Sequence, residues 1–181
     1  MAKSPVLISG LKCLGIEVAK NVILSGVKAV TLHDTEAVTL ADIGSQFFLR
    51  DADVGTNRAV ACYKRAAELN SYVTMRHETG ALTEEMIKEH SVVVLTNSSL
   101  EEQLKVNEWC RAASPSVNMI VADTRGLYAQ VFNDFGPKLT VVDTTGEAPI
   151  TAMISRLLAM PKLSAALWML NSQIAAISPD K

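Results

Sequence analysis

The hydrophobic pattern at the start of the chain predicts a strand, a helix and a second strand. The apolar run Val6–Ile8 ends at Ser9–Gly10, and a second apolar run, Ala29–Leu32, ends shortly before Asp34. The helix between them has its apolar residues on one predicted face: Leu14, Val18, Val22 and Ile23. An acid about 20 residues after a glycine turn is typical of the β-α-β unit of a dinucleotide-binding fold. We therefore expect this unit to organise the fold.

The rest of the pattern continues the alternation of strands and helices. Helices are predicted from Arg58 to Leu69 and from Leu100 to Ala112, and a short helix begins at Thr83. Further strands are predicted at Tyr72–His77, Val92–Leu95 and Met119–Ala122. Continuous apolar strands alternating with helices are typical of a parallel sheet covered on both faces. The sequence therefore predicts an α/β fold with a Rossmann-like, doubly wound and mainly parallel sheet.

After the fifth strand the pattern changes. Leu127–Phe132 and Leu139–Val142 are both strand-like, and the segment between them is too short for a crossover helix. We therefore predict an antiparallel hairpin after the fifth strand. From Ile150 to Ile177 the composition shifts to Ala, Leu, Met and Ile, which predicts a helical C-terminal tail. This division gives a domain at residues 5–155 and a helical extension at residues 156–181.

Composition and charge exclude several classes of protein. The chain has 181 residues, 49% of them hydrophobic and 20% charged, which is typical of a soluble globular protein. A net charge of −2 does not indicate nucleic-acid binding. No apolar run is long enough to predict a membrane span, and the N-terminus does not resemble a signal peptide. The short lead into the first strand makes us expect further residues before Met1 in the natural chain.

The glycine turn is an incomplete nucleotide motif. In the pattern G-x-G-x-x-G, Gly10 and Gly15 hold the first and third places, but Lys12 holds the second. Glycines at such a turn let backbone N–H groups and the helix N-terminus approach a phosphate, and a side chain hinders that approach. Lys12 could contact a phosphate, but we favour a solvated surface lysine. Asp34 could bind a ribose hydroxyl or cap the turn after its strand, and the residues leave both interpretations open.

The cysteines and histidines do not form a recognisable catalytic or metal motif. Cys13 stands at a predicted helix N-terminus without a neighbouring base, and we interpret it as a small packing residue. Cys62 and Cys110 lie inside predicted helices, where cysteine is usually a core residue. The histidines do not have metal-ligand spacing: His33, His77 and His90. We expect neither a disulfide framework nor a metal site, and a reducing compartment.

One acid–base pair follows the fifth predicted strand. Asp123 and Arg125 lie at its carboxyl end, which is where ligands bind in open α/β sheets. The same two residues could equally form a structural ion pair. The sequence leaves both alternatives open.

Several runs of sequence together carry a family resemblance. In chain order they are GLKCLGIEVAKNVILSGVKAVTLHD, LADIGSQFFLRDADVG, VVVLTN, ADTRGLYAQVFNDFG and VVDTTGEAP. The chain resembles the ubiquitin-activating (E1) enzymes, within the larger group that includes the bacterial MoeB and ThiF adenylating proteins. The resemblance covers roughly Pro5 to Ser155 and is more specific than a single glycine motif.

The resemblance implies an adenylation domain that has lost its own chemistry. E1 enzymes carry an active half that binds ATP and ubiquitin, and an inactive half packed against it; this chain is similar to the first, inactive half. Active copies have N-x-N-R-Q-F after the second strand, where this chain has Asp42–Phe47, DIGSQF. Their lysine further on appears here as Arg58, and Thr96–Glu102 lacks their magnesium-binding Asp. The implied vestigial cofactor-binding residues are Gly10, Gly15, Asp34 and Arg58.

The resemblance also implies a function for the whole enzyme. That function is ATP-dependent adenylation of the ubiquitin C-terminus followed by thioester formation, a ligase-class reaction. This chain would be the catalytically inactive scaffold half, with no catalytic residue and no bound cofactor; ATP and Mg would belong to the active half. Expected partners are that active half and ubiquitin, in the cytoplasm and nucleus, with neither nucleic acid nor membrane. Alternatives are a regulatory subunit of a SUMO- or NEDD8-activating heterodimer, a free nucleotide-binding Rossmann protein, or an interaction module.

A short apolar segment is a candidate for the contact between the halves. Phe47, Phe48 and Leu49 precede Arg50 in a predicted connection rather than in a helix or strand. We expect this segment to be left uncovered and to contact a partner half, or a second copy when the chain is isolated. Burial of both rings in the domain's own core is the open alternative.

Overall fold

The computed structural model describes residues 3–136. The strand predicted at Leu139–Val142, the C-terminal helical extension and the predicted boundary near residue 155 lie outside the described residues. Within the described part, none of the helices is long and apolar enough to cross a bilayer.

Six strands form one sheet in the order β3-β2-β1-β4-β5-β6. The strands are β1 (Pro5–Ser9), β2 (Ala29–His33), β3 (Thr74–Glu78), β4 (Val92–Thr96), β5 (Asn118–Arg125) and β6 (Tyr128–Asp134). The first five are parallel to their neighbours, and β6 runs antiparallel to β5. The predicted Rossmann-like, mainly parallel sheet with an antiparallel hairpin is confirmed. The observed hairpin joins β5 to β6, whereas the predicted pairing of Leu127–Phe132 with Leu139–Val142 lies outside the described residues.

The helices largely follow the predicted positions. They are α1 (Cys13–Leu24), α2 (Leu40–Ile43), α3 (Arg58–Ala67), α4 (Glu84–Lys88) and α5 (Leu100–Ala112), with a 3-10 turn at Asp51–Asp53. Side-chain caps set three of the starts: Asn57, Thr83 and Ser99 each accept a hydrogen bond from a backbone N–H in the first turn. The short helix α2 and the 3-10 turn were not predicted, because neither is long enough to show a helical period.

The two faces of the sheet bury different alternating residues of the same strands. Val6 and Ile8 of β1 pack with α1 and α3 on one face. Leu7 of β1 packs on the other face with Ile87 of α4 and Val106 of α5. Because successive side chains of a strand point to opposite faces, an unbroken apolar strand supplies both cores.

Helix α1 packs by a face that matches the predicted one in part: Ile23 is fully buried, and Val18 and Val22 pack against the same core. Leu14, Val18 and Val22 are only half-buried, and the fully buried face is formed by Gly15, Ile16, Ala19 and Ile23. The small residues Gly15 and Ala19 allow the helix backbone to lie close to the sheet. The prediction missed Gly15 at the centre of the buried face, because a pattern of hydrophobic side chains does not show that a glycine contacts the sheet.

The segment after α2 folds into the core. Phe48 and Leu49 are only 8% and 5% exposed, whereas Phe47 is 48% exposed and Arg50 is also exposed. The Arg65 side chain donates a hydrogen bond to the Phe48 carbonyl, which anchors the segment to α3. The expectation of an uncovered surface is therefore wrong for Phe48 and Leu49, because the chain turns back over its own helices at this point.

The three cysteines differ in environment. Cys62 and Cys110 are buried, as predicted, and burial raises the pKa of each thiol to about 11. Cys13 is exposed, so its interpretation as a packing residue is wrong. The small residue that packs at the start of α1 is Gly15 instead.

The turn between β1 and α1 depends on two glycines. Gly10 has a φ of +88°, in the left-handed region that favours glycine. A Cβ at Gly15 would lie under 3.0 Å from the Gly10 carbonyl oxygen and from the Thr96 hydroxyl. These close approaches fix α1 against the ends of β1 and β4.

We expect Gly15→Ala to destabilise the protein by more than about 2 kcal/mol, because the added methyl meets backbone that is itself packed. Urea unfolding followed by circular dichroism measures the change. Gly44→Ala is the matched control, since Gly44 has a φ of −68° and a Cβ there would meet its nearest atom at 3.7 Å. Equal stability of the two variants would contradict the packing argument.

Candidate functional site

The candidate site is the crevice at the carboxyl ends of β1 and β4. After β1 the chain adds β2 and β3 on one side of that strand and then crosses over to add β4 on its other side. Strands β1 and β4 are therefore the topological switch point of the sheet. A cavity of about 130 Å³ lies there. Of the predicted site residues, Gly10, Asp34 and Arg58 line it together. Gly15 lies behind the turn, where it sets the position of α1.

Hydrogen bonds join the strand ends around the cavity. The Gly10 N–H donates to the His33 carbonyl at 3.0 Å, and the Thr96 hydroxyl donates to the Gly10 carbonyl at 2.6 Å. His33 is buried; its Nδ1 accepts from the Ser9 hydroxyl at 2.8 Å, and its Nε2 donates to the Gly80 carbonyl at 2.7 Å. Ser9 and Thr96 were not among the predicted site residues. Their positions at strand carboxyl ends were the signal that could have found them.

Both carboxylate oxygens of Asp34 already accept backbone hydrogen bonds. Oδ2 accepts from the Leu11 N–H at 2.8 Å, and Oδ1 accepts from the Glu36 N–H at 2.9 Å. The Asp34 carbonyl also accepts from the Asn57 side chain at 2.6 Å, and Asn57 caps α3. Asp34 thus connects the turn after β1, the turn after β2 and the start of α3, which is the turn-capping arrangement.

Arg58 is buried among three carboxylates. It is 3% exposed, and its guanidinium lies 3.2 Å from Asp34 Oδ1, 2.8 Å from Glu36 Oε2 and 3.1 Å from Asp42 Oδ2. Asp42 in turn accepts hydrogen bonds from the Thr39 N–H and hydroxyl, each at 2.8 Å. We call Arg58 and these three acids the arginine cluster; its members come from the end of β2, from α2 and from the first turn of α3.

Three members of the arginine cluster have pKa values shifted toward their charged forms: Glu36, Asp42 and Arg58. The hydrogen bond from Arg58 is the main cause that holds the pKa of Glu36 below its usual 4.5. Burial raises the pKa of Asp42, but the hydrogen bonds from Thr39 and Arg58 outweigh burial and leave it below 3.8. Burial lowers the pKa of Arg58, yet the surrounding carboxylates raise it above its usual value. The positive charge of the buried Arg58 guanidinium is therefore balanced by the carboxylates that surround it.

Lys12 does not enter the cluster. Its side chain is 52% exposed, and its Nζ lies 3.5 Å from Glu36 Oε2 in a surface ion pair. This environment agrees with the solvated lysine that we favoured. Exposed pairs of this kind contribute about 0–1 kcal/mol, far less than a buried one.

The remaining candidates lie apart from the crevice. Cys13 is exposed at the start of α1, and His77 packs on Tyr63 with their ring centroids 4.8 Å apart. His90 is buried; its Nδ1 donates to the Met86 carbonyl at 2.7 Å, and burial lowers its pKa below 6.5. Among residues 3–136, no group of three or more His, Cys, Asp or Glu side chains is placed to hold a metal ion.

Asp123 and Arg125 are not joined in an ion pair within the described part of the chain. Asp123 Oδ2 instead accepts a hydrogen bond from the Gln103 side chain of α5 at 3.0 Å. The two residues line a second cavity, of about 380 Å³, between α5 and the β5–β6 hairpin. The structural alternative that the sequence left open, an Asp123–Arg125 ion pair, is therefore wrong.

The sheet order and its crevice define an α/β domain with a Rossmann-like fold. The model of the ThiF family matches residues 1–146, and the chain belongs to that family. Over 152 residues it is 54% identical to "Ubiquitin-like modifier-activating enzyme 1" of Rattus norvegicus and 52% identical to the Homo sapiens protein of the same name. It is 45% identical to "Ubiquitin-activating enzyme E1 1" of Triticum aestivum over the same length. These matches cover 84% of this chain and 14% of each relative.

We expect Arg58→Gln to destabilise the protein by about 3–5 kcal/mol at neutral pH, because Asp34 and Asp42 would be left buried without their cation. Urea unfolding measures the change. The cost should shrink between about pH 5 and about pH 3, because the lowered pKa values of Glu36 and Asp42 confer stability that is present above their unfolded-state pKa values and lost as pH falls.

Lys12→Gln is the control, since it removes an exposed cation that pairs with Glu36 of the same cluster, and it should cost less than about 1 kcal/mol. A loss for Arg58→Gln that is no larger than this, or that is the same at both pH values, would show that the cluster is not the source of stability.

Proposed function

We propose that this chain is the catalytically inactive scaffold half of a ubiquitin-activating enzyme, packed against an active adenylation half. The parent reaction is ATP-dependent adenylation of the ubiquitin C-terminus followed by thioester formation. Membership of the ThiF family and the names of the relatives support this proposal. The observation that carries the inactive assignment is the arginine cluster.

The arginine cluster uses the groups that a nucleotide would need. Asp34 stands where an acid holds a ribose hydroxyl in dinucleotide-binding folds, but Leu11 and Glu36 amides and the Arg58 guanidinium already bind its oxygens. Arg58 itself is paired with carboxylates, so it is not available to a phosphate. A ligand would have to break this arrangement, and the buried acids would then lose their cation.

Size and charge of the crevice also disfavour ATP. Its volume is about 130 Å³, below the roughly 300–1,000 Å³ of ordinary ligand pockets. Asp34, Glu36 and Glu102 line it alongside Lys12 and Arg58, so its carboxylates outnumber its cations. A triphosphate needs the opposite balance, supplied by cations and a bound metal. Thr96–Glu102 provides no aspartate for that metal.

Under this proposal, adenylation takes place in the other half of the enzyme. ATP and Mg bind in the active half, ubiquitin binds the assembled enzyme, and the enzyme works in the cytoplasm and nucleus. The wheat relative's printed name favours ubiquitin over the SUMO and NEDD8 alternatives. This chain contributes rigid surface rather than reacting groups.

Phe47 is the remaining candidate for the contact between halves. Its ring lies 4.3 Å from the buried ring of Phe48, and the Lys20 ammonium lies 5.4 Å from its centroid, so its position is fixed although it is half exposed. A fixed, exposed aromatic ring loses little side-chain entropy when a partner covers it. We propose that Phe47 and neighbouring Arg50 contact the active half, or a second copy when the chain is isolated.

We expect calorimetric titration of the 181-residue chain with ATP and magnesium to give no saturable binding at millimolar nucleotide. The physical reason is the small, acid-rich crevice with its internally paired arginine. Pyrophosphate exchange in the presence of ubiquitin and ATP should likewise stay at background.

A complete ubiquitin-activating enzyme, titrated and assayed in the same buffers, is the positive control. Saturable binding of ATP at low micromolar concentration by the isolated chain would overturn the inactive assignment. Exchange above background that is lost in Asp34→Ala would overturn it independently.

We expect the isolated chain to self-associate with increasing concentration in sedimentation velocity, and Phe47→Ser to weaken that association at least about tenfold. Val60→Ser is the matched control, because Val60 is also partly exposed but lies on α3. Phe48→Ser should instead lower the thermal midpoint, since its ring is buried. A strict monomer at high concentration would remove Phe47 from the proposed contact.

A further inference from the structure

The cavity beside the β5–β6 hairpin is a second cleft at the carboxyl edge of the sheet, next to the crevice at the switch point, with which it shares Ser98. We call it the hairpin cleft; one wall is the start of α5, with Leu100 and Gln103, and the other is the hairpin. Its volume of about 380 Å³ lies within the range of ordinary small-ligand pockets. The nucleotide motif and the arginine cluster do not contribute to it.

The hairpin cleft contains a buried carboxylate that lacks a cation. Asp123 continues the alternating row of Met119 and Val121 that packs under α5, and it is only 9% exposed. Gln103 donates to its Oδ2 at 3.0 Å, but its buried Oδ1 has no hydrogen-bond partner among residues 3–136. A buried carboxylate oxygen without a donor is costly, and a cation is its most favourable partner. The site is therefore suited to an ammonium or guanidinium group.

An exposed cation lies two residues further along the same strand face. Arg125 follows Asp123 at the spacing that places both side chains on one side of β5, about 7 Å apart along the strand. Directly opposite on β6, Gln130 pairs with Asp123 and Tyr128 pairs with Arg125. The floor of the cleft thus has an acidic end, where Gln130 lies beside Asp123, and a basic end, where Tyr128 lies beside Arg125.

The strand end that carries these groups is held in place. Asn97, after β4, has a φ of +51° and accepts a hydrogen bond through its Oδ1 from the Thr124 N–H at 2.9 Å. Thr124 lies between Asp123 and Arg125, so Asn97 fixes the backbone that spaces the two charges. A left-handed asparagine that anchors this one residue supports a preformed site rather than an adaptable surface.

We propose that the hairpin cleft binds a basic α-amino acid unit, free or as the C-terminal residue of a peptide, with its side-chain cation on Asp123 and its carboxylate on Arg125. An arginine or lysine unit carries both charges at the two ends of one extended chain. The Arg125 guanidinium can accept the carboxylate in a two-pronged pair, while Gln103 orients Asp123 toward the cation. The exposed ring of Tyr128 covers the aliphatic stem of the ligand.

The test is calorimetric titration of the full 181-residue chain with L-arginine, L-citrulline and agmatine. Citrulline keeps the shape of arginine without its charge, and agmatine lacks the carboxylate. We expect saturable binding of arginine and at least about tenfold weaker binding of each analogue, because each loses one charge-assisted pair. Equal binding of arginine and citrulline would overturn the proposal, and so would the absence of saturable binding by both arginine and the peptide described below.

Two variants assign the charges to their residues. Asp123→Asn should weaken arginine binding at least about tenfold, whereas Asp51→Asn, at an exposed acid outside the cleft, should leave it unchanged. Arg125→Gln should bind arginine no better than it binds agmatine, because the carboxylate has lost its partner. Unchanged affinity in Asp123→Asn, with the fold verified by circular dichroism, would contradict the site; the ligand comparisons on the unmodified chain test it without any variant.

A peptide arm separates the two sources of the ligand. N-acetyl-Gly-Gly-Arg with a free carboxylate should bind if the natural ligand is a chain terminus, and its C-terminal amide should bind at least about tenfold more weakly. Binding of free arginine but not of the peptide supports the free amino acid instead. Equal binding of the acid and the amide would show that the carboxylate is not recognised and would contradict the role of Arg125.

Discussion

The arrangement on which the rest of the structure depends is one buried guanidinium shared by three carboxylates. Arg58 begins α3 and reaches Asp34 after β2, Glu36 in the following turn and Asp42 in α2. These segments also share an apolar core, in which Leu32, Val38 and Ala59 are buried together and Ile43 packs against them. The charges add a constraint on register, because a buried arginine is tolerated only when the neighbouring elements supply its acids. The cluster therefore fixes the connection that follows β2 and, with it, the wall of the crevice.

Several residues of the glycine turn and of the arginine cluster have structural roles of their own. The close packing of Gly10 and Gly15 against Thr96 is needed for α1 to lie on the sheet, whether or not a phosphate binds. Asp34 is likewise needed to hold the Leu11 and Glu36 amides. Residues that resemble a binding motif thus have a mechanical role that is sufficient to retain them. Under the proposed function, the domain keeps the frame of an adenylation fold and offers its outer surfaces to partners.

Two such surfaces differ in physical character. Around Phe47 the surface is aromatic and fixed by packing on Phe48, which suits contact with another protein face. In the hairpin cleft the recognition elements are opposite charges on one strand face, Asp123 and Arg125, which suits a small zwitterionic group. The hairpin cleft lies at the carboxyl end of β5, whereas Phe47 lies in the connection after α2.

The sequence by itself determined the order and type of the elements, because strand and helix periods are local: β1, β4 and α5 lie where their apolar runs and caps predict. It also indicated that the glycine turn was incomplete at Lys12. Only the tertiary structure decided that Gly15 rather than Leu14 faces the sheet, that Phe48 is buried while Phe47 is not, and that Arg58 is paired with Asp34, 24 residues away. Such contacts depend on which distant segments of the chain pack together in the fold. The local pattern of hydrophobic and polar residues does not contain that information.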